Sequence, residues 1–148
     1  MHFPFLLGLA AAAGAQPPAD PFCADLARII RAAAETPPFA SIPPFTGGPG
    51  LALLGFPNNC GRSENMRDGR VFSCARQLPG PKLRVDPLAA QVQSCLPAAQ
   101  RLPDAANHGI FEARVVRFRA QGVTIELAEG GWRTAGGGQV SLRVRPVR

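Results

Sequence analysis

The chain has 148 residues, 16 Lys and Arg against 10 Asp and Glu, a formal charge of +6, and 46% hydrophobic residues. That length suits one domain burying about two-thirds of its unfolded surface rather than several domains. The cations are 15 Arg and the single Lys82, a balance that favours anionic partners; GC-rich coding alone also yields such an Arg-, Ala-, Pro- and Gly-heavy composition, so the charge bears on solubility and non-specific binding and not on fold.

Residues 1–15 contain no Asp, Glu, Lys or Arg, and Phe3-Pro4-Phe5-Leu6-Leu7-Gly8-Leu9 runs into Ala10 to Ala13, Gly14 and Ala15. An apolar run ending in Ala13-Gly14-Ala15 reads as a secretory leader cleaved after Ala15, because only small side chains fit the first and third positions before the cut. A bilayer span needs ~20 apolar residues, and this run stops at Gln16-Pro17-Pro18. The expectation is therefore a leader over 1–15, a single small α+β domain over 16–148 with no transmembrane span, and a periplasmic or secreted location.

The first predicted element is a helix opened by Asp20-Pro21, an N-cap acceptor followed by a proline whose missing N–H is not needed there. Phe22, Cys23, Leu26, Ile29, Ile30 and Ala33 recur at helical spacing, and the pattern ends before Thr36-Pro37-Pro38. Residues 36–59 carry Pro37-Pro38-Phe39, Pro43-Pro44-Phe45 and Thr46-Gly47-Gly48-Pro49-Gly50. Because proline restricts its own φ and the residue before it, this stretch is expected to be irregular, anchored by Phe39, Ile42, Phe45 and Phe56. Two Pro-Pro-Phe repeats without recurrent basic flanks make a packed segment a better reading than a proline-rich ligand.

Next, the polar run Gly61 to Gly69 is expected as a hairpin loop returning through a strand at Arg70 to Gln77. A second helix opens at Asp86-Pro87, with Leu88, Val92, Cys95 and Leu96 on its stripe before Pro97. At the C-terminus Val123, Ile125 and Leu127 alternate with Thr124, Glu126 and Ala128, and Val140, Leu142 and Val144 with Ser141, Arg143 and Arg145. Such alternation marks half-buried strands. With Phe111 to Arg119 as a third strand, linked by Ala120-Gln121-Gly122, they form a three-stranded meander; Glu129-Gly130-Gly131 and Gly136-Gly137-Gly138 flank the turn before the last strand.

The four cysteines, Cys23, Cys60, Cys74 and Cys95, allow three pairings and contain no C-x-x-C, and no histidine lies near them. Zinc and thioredoxin-like chemistry therefore lack their usual ligand spacing, and structural disulfides are expected. An antiparallel helix pair would set Cys23, in the first turn of one helix, beside Cys95, in the last turn of the other, which leaves Cys60 to pair with Cys74. The fold expected is α+β, with two short amphipathic helices packed on one face of a mostly antiparallel sheet.

The opposite sheet face would carry Thr124, Glu126, Arg143 and Arg145, joined by Arg117 and Arg119 or by Arg114 according to register. Residues 101–148 contain eight Arg against four acids. The binding candidates are accordingly Arg117, Arg119, Arg143 and Arg145, with Trp132 either capping one end of the sheet or anchoring a partner.

Catalytic patterns are weak. His108 is the sole histidine after the leader and there is no G-x-S-x-G. Glu112, Glu126 and Glu129 could form a hydrolase pair with His108 nearby, yet cross-strand ion pairs with Arg account for them more simply. Neither glycine cluster continues into a phosphate-loop pattern. The reading is an exported, disulfide-stabilised binding module without catalysis, cofactor or metal. Its partner is an envelope protein or anionic polymer rather than nucleic acid. The alternatives are an inhibitor or immunity-like protein blocking an exported enzyme through a loop, and, third, a small hydrolase.

Overall fold

A computed structural model describes residues 20–45, 50–66, 68–79, 85–107, 111–132 and 137–147. Residues 1–15, expected above as a leader, and Lys82, His108 and Gly136 lie outside them.

Helix α1 spans Pro21–Ala33, and the Asp20 carboxylate accepts a hydrogen bond from the Phe22 N–H at 3.0 Å, as its N-cap position predicts. Phe22, Leu26, Ile29, Ile30 and Ala33 are buried on its inner face. Helix α2 spans Val85–Cys95 and so begins two residues before Pro87, the first helical position that the Asp86-Pro87 pair predicts. Its first N–H, on Val85, is accepted by the Glu129 carboxylate of a neighbouring strand. That distant acceptor satisfies a donor which has no partner inside the helix, so the helix can begin before its proline.

The strands are β1 (Leu51–Leu53), β2 (Phe56–Asn65), β3 (Gly69–Pro79), β4 (Gln100–Asn107), β5 (Phe111–Ala120), β6 (Val123–Trp132) and β7 (Gly137–Pro146). They form one antiparallel sheet in the order β1-β2-β3-β7-β6-β5-β4. The β5–β6–β7 meander is present as expected, joined between β5 and β6 by Gln121 and Gly122 at φ 48° and 77°. Two consecutive positive φ values are the type I′ geometry whose twist matches paired strands.

Across the sheet, the register aligns Val116, Leu127, Leu142, Cys74 and Cys60 in one row, and Phe118, Ile125, Val144 and Phe72 in the next. All nine are at most 1% exposed, and they join the inner faces of both helices in one hydrophobic cluster. The helices thus cover the face that carries the apolar alternants. Disulfides join Cys23 to Cys95 and Cys60 to Cys74, the pairing inferred from the helix ends.

Three sequence expectations change. Residues 61–65 belong to β2 rather than to a loop, and the turn narrows to 66–68. Cross-strand partners from Gly61↔Ser73 to Asn65↔Gly69 satisfy their backbone, and Arg70 bonds Glu64 at 2.7 Å; polar side chains alternate off this hairpin without breaking it. The 36–59 stretch is not wholly irregular, because β1 and the start of β2 lie inside it. Of its four aromatic and aliphatic anchors, Phe39, Ile42 and Phe56 are buried, but Phe45 is 38% exposed. Its backbone is what packs: Phe45 N–H donates to Arg62 O at 2.7 Å and Arg62 N–H to Pro43 O at 2.9 Å. β4 was missed, since Pro103 and the break in register between Leu102 and Ala105 disguise its alternation.

Gly61 is where the Pro43–Phe45 segment crosses β2. A Cβ there would lie 2.7 Å from Phe45 N and 2.8 Å from Phe45 Cα. Those are backbone atoms and cannot swing aside, so Gly61→Ala is expected to displace the segment and cost on the order of 1–3 kcal/mol. Urea unfolding of the variant measures this; an unchanged midpoint contradicts the packing described.

Candidate anion-binding face

β5, β6 and β7 place the four candidate arginines on two rungs of the face opposite the helices. One rung reads Arg119–Thr124–Arg145 and the next Arg117–Glu126–Arg143. The register thereby selects Arg117 and Arg119 over Arg114, which falls on the helix side. Directly opposed residues lie ~5 Å apart at Cβ and diagonal ones ~7–8 Å, so four guanidinium groups surround one hydroxyl and one carboxylate.

They are not equivalent. Arg145 is held by Glu126 at 2.8 Å and by Asp68, in the β2–β3 turn, at 3.3 Å. Arg117 donates to the Pro103 carbonyl at 3.0 Å. Arg119 and Arg143 are exposed and have no ion-pair partner among the described residues. Thr124, between Arg119 and Arg145, is 6% exposed and is the one buried polar side chain among the described residues.

Trp132 departs from its expected place in a glycine-rich turn: its backbone pairs with Phe111 as the last residue of β6. It stands six residues beyond Glu126 along β6, ~20 Å at strand rise, so it does not join the arginine rungs. Its side chain lies outside the described residues, as do that of Glu112 and the whole of His108.

The acidic candidates are otherwise engaged. Glu126 forms the expected cross-strand ion pair, diagonally with Arg145. Glu129 instead caps α2. Arg114 bonds Asp86 at 3.0 Å and Asp104 at 3.3 Å, and Asp104 also bonds Arg101 at 3.2 Å, tying β5 to α2 and β4. Asp104 is held below its ordinary value by the Arg101 hydrogen bond first and by Arg114 next, and Arg114 is raised by Asp86. An acid depressed in this way adds stability above its unfolded value that is lost as pH falls through its folded one.

One cluster has metal-ligand proximity, Asp20 with Cys23 and Cys95, but both sulfurs are consumed by their disulfide. A cavity of about 430 Å³ lies on the helix side between Asp25 and Arg76, over Leu53, Leu54 and Phe56, and contains none of the predicted site residues. The buried Thr124 is the feature that sequence reasoning passed over. Alternation placed it on the outer face, and only the flanking long arginines, known once the register is known, account for burial there.

Two disulfides suggest an oxidising, exported environment, and no helix among the described residues is long and apolar enough to cross a membrane. Comparison with protein-family models, with curated proteins and with solved structures found no match to this chain.

Proposed function

We propose that the chain is an exported binding module that holds an anionic partner, an envelope polymer or an acidic protein surface, through Arg117, Arg119, Arg143 and Arg145, and that it carries out no catalysis. Residues 1–15 act in this reading as the leader, removed after Ala15, and the product is periplasmic or secreted. The observation that supports it is the two-rung array, in which four arginines from two strands share one helix-free face and two of them, Arg119 and Arg143, stay unpaired. Guanidinium groups bind oxyanions in planar, bidentate geometry, and an array of them steers anionic partners.

Binding of dextran sulfate and of polyphosphate, followed by fluorescence anisotropy at rising salt, tests the reading. Affinity is expected to fall steeply with salt. The double variant Arg119→Glu with Arg143→Glu is expected to bind at least roughly tenfold more weakly, about 1.4 kcal/mol, with an unchanged thermal midpoint because both side chains are exposed. Absence of binding at low salt, or a variant that binds as well as the parent, rejects the reading.

A second reading, an inhibitor-like protein acting through a loop, is favoured by the β2–β3 hairpin. Met66 is fully exposed at its tip, above the Glu64–Arg70 ion pair and the Cys60–Cys74 bridge, a stiff presentation that lowers the ordering cost of binding. Such a complex should be less sensitive to salt than polymer binding.

A further inference from the structure

The cavity of about 430 Å³ on the helix side falls within the ~300–1,000 Å³ typical of small-ligand sites. Three elements enclose it: α1 through Asp25, the β1–β2 hairpin from Ala52 to Phe56, and β3 through Arg76. Leu53, Leu54 and Phe56, each at most 5% exposed, give it an apolar floor. The hairpin is fixed in place. Leu54 and Gly55 hold φ 55° and 75° in its turn, a geometry that usually takes Asn or Gly, and the Leu54 side chain is buried there. Asp25 Oδ2 accepts the Leu54 N–H at 3.1 Å, tying the turn to α1. A wall anchored by a buried side chain and a hydrogen bond needs little ordering when a ligand arrives.

The two charged side chains that line this cavity are of opposite sign and form no ion pair with each other. Arg76 is exposed and has no ion-pair partner among the described residues. Its register explains why. It stands across from Val140, and the acid further along the same rung, Glu129, is two strands away, ~10 Å at strand spacing, and caps α2. Asp25, half-buried, gives Oδ2 to Leu54 and keeps Oδ1 without a partner among the described residues.

We infer that the cavity seats a free α-amino acid with an apolar side chain, its carboxylate on Arg76, its ammonium on Asp25 and its side chain over Leu53 and Phe56. The charges decide the class. A fatty acid or other monoanion would satisfy Arg76 but meet the Asp25 carboxylate, and a simple amine would reverse the conflict; a zwitterion answers both. A guanidinium offers a carboxylate two parallel N–H donors. Burial of a branched or aromatic side chain on the floor supplies affinity that a water-exposed ion pair alone does not. The cavity lies on the other side of the sheet from Arg117, Arg119, Arg143 and Arg145, so it stands apart from the anion-binding reading.

The test titrates the oxidised protein with L-leucine, N-acetyl-L-leucine, L-leucinamide and glycine, reading heat by calorimetry and the Leu54 and Gly55 amide signals by NMR. Leucine is expected to shift both signals. Acetylation and amidation each remove one charge and are each expected to weaken binding roughly tenfold or more. Arg76→Gln is expected to bind leucine and leucinamide alike. Asp25→Asn, whose carboxamide oxygen can still accept the Leu54 N–H, is expected to bind leucine and N-acetyl-leucine alike. Ala52→Trp, a change at an exposed residue of the rim, is expected to abolish binding with an unchanged thermal midpoint. Leu54 and Gly55 signals unmoved by leucine at ~10 mM, or moved as far by glycine, overturn the inference. So does either blocked derivative binding as tightly as leucine, or a folded Ala52→Trp that still binds. Polyphosphate binding kept in Arg76→Gln and lost in Arg119→Glu with Arg143→Glu reports on the arginine face separately.

Discussion

Replacing Cys23 and Cys95 together by alanine is expected to destabilise the protein by about 4 kcal/mol, the larger of its two disulfide effects. The bridge joins residues 72 apart, and in the chain-entropy model a cross-link closing that many residues removes about 4.4 kcal/mol of loop freedom from the unfolded chain. The Cys60–Cys74 bridge, with separation 14, is worth about 3 kcal/mol on the same basis. The total stability of a domain this size is about 5–15 kcal/mol, so the two bridges together are comparable to about half of it or more. Differential scanning calorimetry on the Cys23→Ala, Cys95→Ala double variant, on the Cys60→Ala, Cys74→Ala double variant and on the reduced parent measures the effect. The long-range pair should produce the larger drop, and a thermal midpoint insensitive to reductant contradicts the argument.

The difference between the bridges is also positional. Cys23–Cys95 is half-exposed where the first turn of α1 meets the last turn of α2 and holds the helical layer together. Cys60–Cys74 is buried at 1% in a rung whose next members are Leu142, Leu127 and Val116. Cutting the second leaves the rung paired by backbone hydrogen bonds, whereas cutting the first removes the one covalent tie between the helices and leaves them to their apolar faces and a few polar contacts with the strands, Arg114–Asp86 and Val85–Glu129 among them.

That pairing was legible because it follows from helix ends alone: Asp20-Pro21 and Asp86-Pro87 set where each helix begins, and each apolar stripe carries one cysteine. The meander was legible for a similar reason, since Val123-Ile125-Leu127 and Val140-Leu142-Val144 alternate with period two, the signature of a strand with one face buried. β4 and the first half of the sheet were not. In Gln100–Asn107 a proline and a break in register erase the period, and in β2 the run Gly61-Arg62-Ser63-Glu64-Asn65 is polar on both faces, so nothing in composition separates it from a loop. What makes it a strand is non-local: β3 on one side, and the Pro43–Phe45 backbone on the other.

The candidate site divides the same way. Which arginines share a face required only the register of β5 against β6, which sequence left as a choice between Arg117 with Arg119 and Arg114. Which of them remain unpaired depended on residues far away in the chain: Asp68 comes to Arg145 across 77 positions, and Asp86 to Arg114 across 28. Glu129 likewise serves Val85 across 44 positions. Ion pairs between remote segments have no periodic trace in sequence, so a list of charged residues overstates the free charge on a surface until the fold assigns partners.

Phe72→Ala is expected to cost about 3–5 kcal/mol, the range for deleting a fully buried aromatic side chain from a core. Phe72 is 0% exposed and lies at the centre of the sheet, in the row that continues through Val144, Ile125 and Phe118. Its ring meets that of Phe39 at a centroid distance of 6.4 Å, tilted by 36°, within the spacing where aromatic pairs add about 0.5–1.5 kcal/mol beyond area burial. Phe39 itself holds φ 58°, a left-handed conformation uncommon for a bulky side chain, and its N–H donates to Ala32 O at 2.7 Å just past α1. Removing Phe72 therefore leaves a cavity and also withdraws the ring contact that offsets this strain, loosening the segment between α1 and β1. Phe72→Leu, which keeps most of the volume but not the ring, should cost substantially less. Equilibrium unfolding in guanidinium measures both; if the alanine and leucine variants lose the same stability, Phe72 is not filling the space that the sheet and the Phe39 segment enclose.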